Sequence, residues 1–181
     1  MSVGLFNPQV PTDNDIGLGE GIVYFDLDEV TEAVIGATRG GNKIEIDKII
    51  REMPFDGAYG PHKSLRRYER YVPRLIVNLL KISYLSLAYA MPVTVTDMGD
   101  YHQIDFRLNI EDTDYSNNVA FVGQKLDGKA IIAYFYNALN DGNISFEFKE
   151  KDEVTAEMQY TAHYDSSTLT TVPFEFRDYD V

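Results

Sequence analysis

The sequence contains no cysteine and no tryptophan. The first absence excludes disulfides, thiolate metal sites and a cysteine nucleophile. The second removes the largest aromatic platform on which a sugar ring could stack. Basic residues are also scarce: 16 Lys and Arg stand against 29 Asp and Glu, a formal net charge of −13. A surface that acidic repels a nucleic-acid backbone and anionic lipid. Long apolar runs are missing as well. The longest, "LIVNLLKISYLSLAYAM" (75–91), is interrupted by Asn78 and Lys81 and falls short of the roughly 18 apolar residues of a membrane span. The N-terminus, "MSVGLFNPQVPTDND", has neither the basic start nor the apolar centre of a signal peptide. The expectation is a soluble protein made inside the cell, with a core large enough for one domain.

What the chain has in abundance is Tyr and Phe, 13 and 10 residues, concentrated with Val, Ile and Thr in short runs that favour strands. Residues 1–20 carry Pro8, Pro11, Gly17 and Gly19 without periodicity and read as an extended arm. The remainder, 21–181, reads as a single domain. Strands are expected over 21–30, over 31–53 with a glycine turn inside, over 71–82 with Pro73 near its start or at a bulge, and over 172–176. Ile44 and Ile46 alternate with Glu45 and Asp47, and the alternation slips at Ile49–Ile50, which predicts a bulge. "SYLSLAYAM" (83–91) suits a short helix with Ser83 as its cap and Pro92 as its stop. Hairpins are expected at Asp127–Gly128 and around Lys151–Asp152–Glu153. The tally gives a mainly β fold, an antiparallel sandwich or barrel with one short α-helix.

Chemistry is harder to find. "GATRGGNK" (36–43) has the residue types of a phosphate loop, but Asn42 follows Gly41 where Lys-Ser/Thr is needed, and the next segment is a strand. It reads as a glycine turn. The acidic groups "DND", "DLDE" and "EDTD" lack the ligand ladder and glycine of a calcium loop. His62, His102 and His163 have no companion at metal-ligand spacing, and there is no G-x-S-x-G elbow. The expectation is no catalytic residue, no cofactor and no metal. One segment runs against the acidic average. Lys63, Arg66, Arg67, Arg70 and Arg74 fall within twelve positions, and the polar stretch 54–70 that holds most of them is too long for a tight turn. The ordinary reading is a solvated loop. A nucleic-acid patch sits badly with the overall charge, and a third reading is a basic projection that meets the acidic surface of another copy.

The order of these pieces resembles the major tail tube proteins of long-tailed, siphovirus-type bacteriophages. The resemblance rests on "GATRGGNKIEIDKIIREMPFDGAYGP", on "RRYERYVPRLIVNLLKIS" and on the C-terminal "LDGKAIIAYFYNALNDGNISFEFKEKDEVTAEMQYTAHYD", and it covers about residues 33–177. It implies a β-sandwich flanked by a helix, hexameric rings stacked into a hollow tube for genome passage, and a place in the virion tail after assembly in the host cytoplasm. The partners implied are further copies of the chain, a tape measure protein, a tail-tip initiator and a tail terminator, with DNA passing unbound. Loop 54–70, with Asp56, Lys63, Arg66, Arg67 and Arg70, becomes the contact to the adjoining ring. Glu45 and Asp47 become acidic residues lining the channel. No appended immunoglobulin-like domain is expected. A ring-forming protein of a contractile tail or secretion apparatus shares these features, and a carbohydrate-binding β-sandwich is the alternative from another class.

Overall fold

A computed structural model describes residues 17–53, 56, 60–80, 83–147 and 154–179, the side chains of 17–20, 39, 40 and 147 excepted. In chain order the elements are β1 (Gly17–Phe25), β2 (Ala33–Val34), β3 (Thr38–Glu52), β4 (Arg66–Leu79), α1 (Tyr84–Ala90), β5 (Val93–Asp97), β6 (His102–Phe106), β7 (Ser116–Lys125), β8 (Ala130–Asn140), β9 (Ser145–Glu147), β10 (Thr155–Ala162) and β11 (Phe174–Asp178). The fold is mainly β with one α-helix, and every strand pairing is antiparallel.

The main sheet runs β2-β1-β7-β8-β10-β4-β3, with β11 added to β8 and β9 to β10. Its two ends, β2 and β3, are consecutive in the chain, and only Ile35–Ala37 separates them. From Val34 to Thr38 the backbone reaches at most about 14 Å. Laid flat, the seven-strand path would span about 29 Å. The sheet is therefore rolled on itself. The link is tied to both ends: the Ile35 N–H donates to the Val23 carbonyl (3.0 Å), and the Leu80 N–H donates to the Ala37 carbonyl (2.8 Å).

Strand β8 gives one edge to β7 and divides the other. Residues 131–135 pair with β11 and 138–140 with β10. Asn137, at φ 48°, lies at the division, and asparagine tolerates this left-handed backbone better than most side chains. Its Nδ2 donates to the His163 carbonyl (3.2 Å), and the His163 N–H donates to the Tyr136 carbonyl (3.2 Å). Inside the roll pack Val23 and Phe25 of β1, Val119 of β7, Phe135 of β8, Met158 and Tyr160 of β10, and Leu75, Val77 and Leu79 of β4. Helix α1 covers this core through Tyr89, whose ring stacks on Phe25 at 4.3 Å. Ser83 caps it as expected: its Oγ accepts the Ser86 N–H, and the Ser86 Oγ accepts the Ser83 N–H.

The expected bulge is present: Ile49 pairs with Arg70 and Ile50 with Tyr68, leaving Glu69 as the extra residue on β4. The hairpin at Asp127–Gly128 is also present, with Gly128 at φ 89°. Several boundaries move. Strand β1 begins at Gly17, inside the expected arm, and ends at Phe25 because Asp26 and Asp28 take positive φ. The glycine turn is not a hairpin. Its strands β2 and β3 pair with β1 and β4 respectively, and Gly41 (φ 87°) sits in a register shift within β3. Strand β4 starts at Arg66 and carries Pro73 in its middle. Proline is accommodated there because pairing with β10 stops at Arg74, and the neighbouring Tyr71 N–H points to the Tyr164 hydroxyl instead of a strand carbonyl. The polar stretch after α1 contains the separate β5–β6 ribbon, which its V-T-V-T-D alternation before Gly99 could have revealed. Residues 1–16, 151–153 and most of 54–59 lie outside the described residues.

Three tyrosines tie the fold to pH. Burial pushes the Tyr160 hydroxyl up, burial and the Glu175 bond push Tyr136 up, and burial with the Asp28 bond pushes Tyr134 up to about 12. An unfolded tyrosine ionises near 10, so above that pH the native state holds more protons than the unfolded chain and stability falls. Urea midpoints should be insensitive to these groups below about pH 10 and drop above it. Tyr134→Phe should make the drop shallower, and an unchanged slope would count against this assignment.

Candidate assembly surface

The β3–β4 hairpin serves two purposes along its length. Near the core, Ile44 opposes Leu75 and packs inward, while Glu45 opposes Arg74 and Asp47 opposes Val72 on the outward face. The two expected channel acids thus share a face away from the core, but each has a cation: Glu45 pairs with Lys43, and Asp47 with Arg74. The hydrogen bond and charge of Glu45 hold the Lys43 ammonium above its ordinary pKa, and Glu157 across the sheet adds to this. Exposed pairs of this kind contribute about 0–1 kcal/mol each. They leave Lys43 and Arg74 engaged rather than open to an outside anion.

Beyond Ile49 the hairpin becomes a ribbon. Ile49 opposes Arg70, Ile50 opposes Tyr68, Arg51 opposes Arg67 and Glu52 opposes Arg66. Alternation along β3 then puts Arg51, Arg67 and Arg70 on one face with Ile49. Among the described residues none of these arginines makes an ion pair. Like charges directly opposite each other destabilise a ribbon, so Arg51 and Arg67 are in local conflict. The other face holds Ile50, Tyr68 and Tyr71, with the two tyrosine rings 5.3 Å apart; Tyr68 is 59% exposed.

Of the five residues expected in an assembly loop, the structure therefore gathers Arg67 and Arg70 on one strand face. Arg66 lies on the same strand but bonds Glu52 at 2.9 Å. Lys63 sits in a 3-10 turn, Lys63–Leu65, and Asp56 is an exposed turn residue, so neither is on the strands that carry the arginines. Arg51 is the member that sequence reading missed, because its position opposite Arg67 depends on the bulge.

A second exposed surface lies on residues 84–114. Helix α1 and the β5–β6 ribbon form one body, joined by Tyr84 and His102 with ring centroids 3.8 Å apart. From it Leu85, Phe106, Leu108 and Ile110 protrude, Leu108 being fully exposed. Residues 84–114 hold six carboxylates and a single basic side chain, Arg107. Arg107 is engaged with Glu111 at 2.8 Å and with Asp114. Elsewhere a cleft of about 460 Å³ opens between β8, β11 and the 165–173 segment, lined by Asn117, Tyr136, Asn137, Asp165 and Glu175 among others. The ring of His163 packs edge-on to Tyr115 at 5.3 Å with its Nδ1 3.2 Å from the Asn137 carbonyl oxygen, a structural placement. Among the described residues no three His, Asp or Glu side chains gather as a metal site, and no helix is long and apolar enough to cross a membrane.

Compared with known proteins, the chain matches no protein-family model and no curated protein.

The arginine conflict has a measurable consequence. Replacing Arg67 with Glu turns the like-charge pair into an opposite-charge pair, which should stabilise the chain by about 0.2–1 kcal/mol in urea unfolding. A loss of stability would show that the isolated chain already accommodates the two arginines.

Proposed function

We propose that this chain is a structural subunit that self-assembles into stacked hexameric rings, the hollow tail tube of a long-tailed phage, and that it is not an enzyme. The observation that carries the reading is the β3–β4 ribbon. Three unpaired arginines on one face and exposed Ile50 and Tyr68 on the other are costly on a lone subunit and are resolved by an acidic, partly apolar neighbour. The sheet supports the same reading. Among the described residues β3 pairs with β4 alone, so a 15-residue strand leaves its outer edge open. Long open edges template pairing with another chain, and a ring of subunits closes them productively.

In this reading the ribbon replaces the expected loop as the contact to the adjoining ring. The belt of Lys43, Glu45, Asp47 and Arg74 faces the channel. A wall whose cations are already bound to its own carboxylates offers no free clamp for phosphate, so DNA slides past without specific binding. Tape measure, initiator and terminator proteins are the partners such a tube requires, and the virion tail is its location.

Electron microscopy of the concentrated protein, with size-exclusion chromatography alongside, tests the proposal. Rings or tubes are expected, and Arg67→Glu should raise the concentration they need while leaving a folded monomer. The cleft beside Tyr136 favours one rival, a saccharide-binding module. A protein that stays monomeric at every concentration and labels a glycan array would replace the tube reading with that one.

A further inference from the structure

The arginine face needs a surface of opposite character, and the chain carries one. We propose that Arg51, Arg67 and Arg70 of one copy dock on the stretch Asp105–Asp112 of a second copy. The inference rests on the self-assembly reading and adds to it the identity of the receiving surface.

Three observations converge on this stretch. First, charge: residues 48–70 hold six basic and three acidic side chains in a chain with 16 and 29 overall, while Asp105, Glu111 and Asp112 are exposed on the other surface. Its one guanidinium, Arg107, is consumed internally by Glu111 and Asp114. Asp105, whose oxygens accept from the neutral Gln103 amide at 3.0 Å, and Asp112 keep their charge for an outside cation. Second, apolar complement: the arginines share their face with Ile49 and continue to exposed Met53. The receiving stretch interleaves its acids with Phe106, Leu108 and Ile110, each more than half exposed. An arginine over an exposed phenylalanine ring adds a cation–π contact. Third, geometry: the arginines lie on the part of the β3–β4 hairpin beyond Arg74, where pairing with β10 has ended, and the receiving stretch begins at the end of the separate β5–β6 ribbon and runs on past it. The two surfaces are different parts of one chain, so the contact is head-to-tail. Such contacts propagate into rings or stacks instead of stopping at a dimer.

A charge swap tests this. One variant carries Arg67→Glu and Arg70→Glu, giving an acidic arm; the other carries Asp105→Lys and Asp112→Lys, giving a basic receiving stretch. Each alone should self-associate about tenfold more weakly than wild type or worse in sedimentation velocity. Mixed in equal amounts they should regain association, because each acidic arm meets a basic stretch and each wild-type arm meets a wild-type stretch. The regained assembly also shows that both variants fold. If wild type assembles but the Asp105/Asp112 variant assembles equally well, or the mixture regains nothing, this contact is wrong and the tube reading survives. If wild type stays monomeric at every concentration and the mixture does too, both fail together.

Discussion

The three-residue link between β2 and β3 is the constraint on which the architecture depends. It joins the two ends of a sheet that, laid flat, would hold them about twice as far apart as the link can reach. Rolling follows, and with it an enclosed core into which Phe25, Phe135, Leu75 and Tyr160 all project. The link is short and pinned by two backbone hydrogen bonds, with Ile35 buried beneath it. It therefore places β3 as a lateral strand that, among the described residues, pairs with β4 alone. Everything that the hairpin does outside the core begins from that position.

A single inserted residue then converts this hairpin from scaffold into surface. In an unbroken strand, residues three apart point to opposite faces. Glu69 is the extra residue at the bulge, so Arg67 and Arg70 share a face, and Tyr68 and Tyr71 share the other, where their rings stack. Without the bulge each face would carry a mixture of arginine and tyrosine. With it, the ribbon has one cationic and one aromatic side. Bulges that re-aim side chains are placed features in sheets, and this one separates the two chemistries with no change in composition.

Much of the framework was legible before any coordinates. The register shift falls at Ile49–Ile50, where the sequence reading put it, although the extra residue is Glu69 on the partner strand; the helix showed in Ser83 and Pro92, and the β7–β8 turn in Asp127–Gly128. These are local signals with local causes. The failures have a non-local cause. "GATRGG" carries the composition of a turn, and nothing within it says that its flanking strands will pair at opposite ends of a rolled sheet. The arginines looked like loop residues because Arg66–Arg70 lack apolar alternation, yet a ribbon exposed on both faces has no apolar side to announce it. The face of Glu45 and Asp47 was readable from Ile44 and Ile46. Their cations were only half readable, since Lys43 is two residues away but Arg74 arrives by cross-strand register. The Arg51–Arg67 pairing was beyond reach for the same reason, compounded by the bulge.

In the proposed assembly, the balance of charge sets how copies of the chain associate. Copies with a net charge of −13 repel at long range, and salt screens that repulsion beyond about 8 Å at physiological ionic strength. Attraction between an arginine face and a carboxylate stretch acts inside that distance, where screening is weakest. Exposed ion pairs contribute little each, so charge governs which surfaces meet and in which orientation. In that contact, holding the copies together falls to the apolar side chains that both surfaces expose. The scarcity of basic residues, 16 against 29 acidic ones, is what makes a cationic ribbon stand out from the rest of the chain.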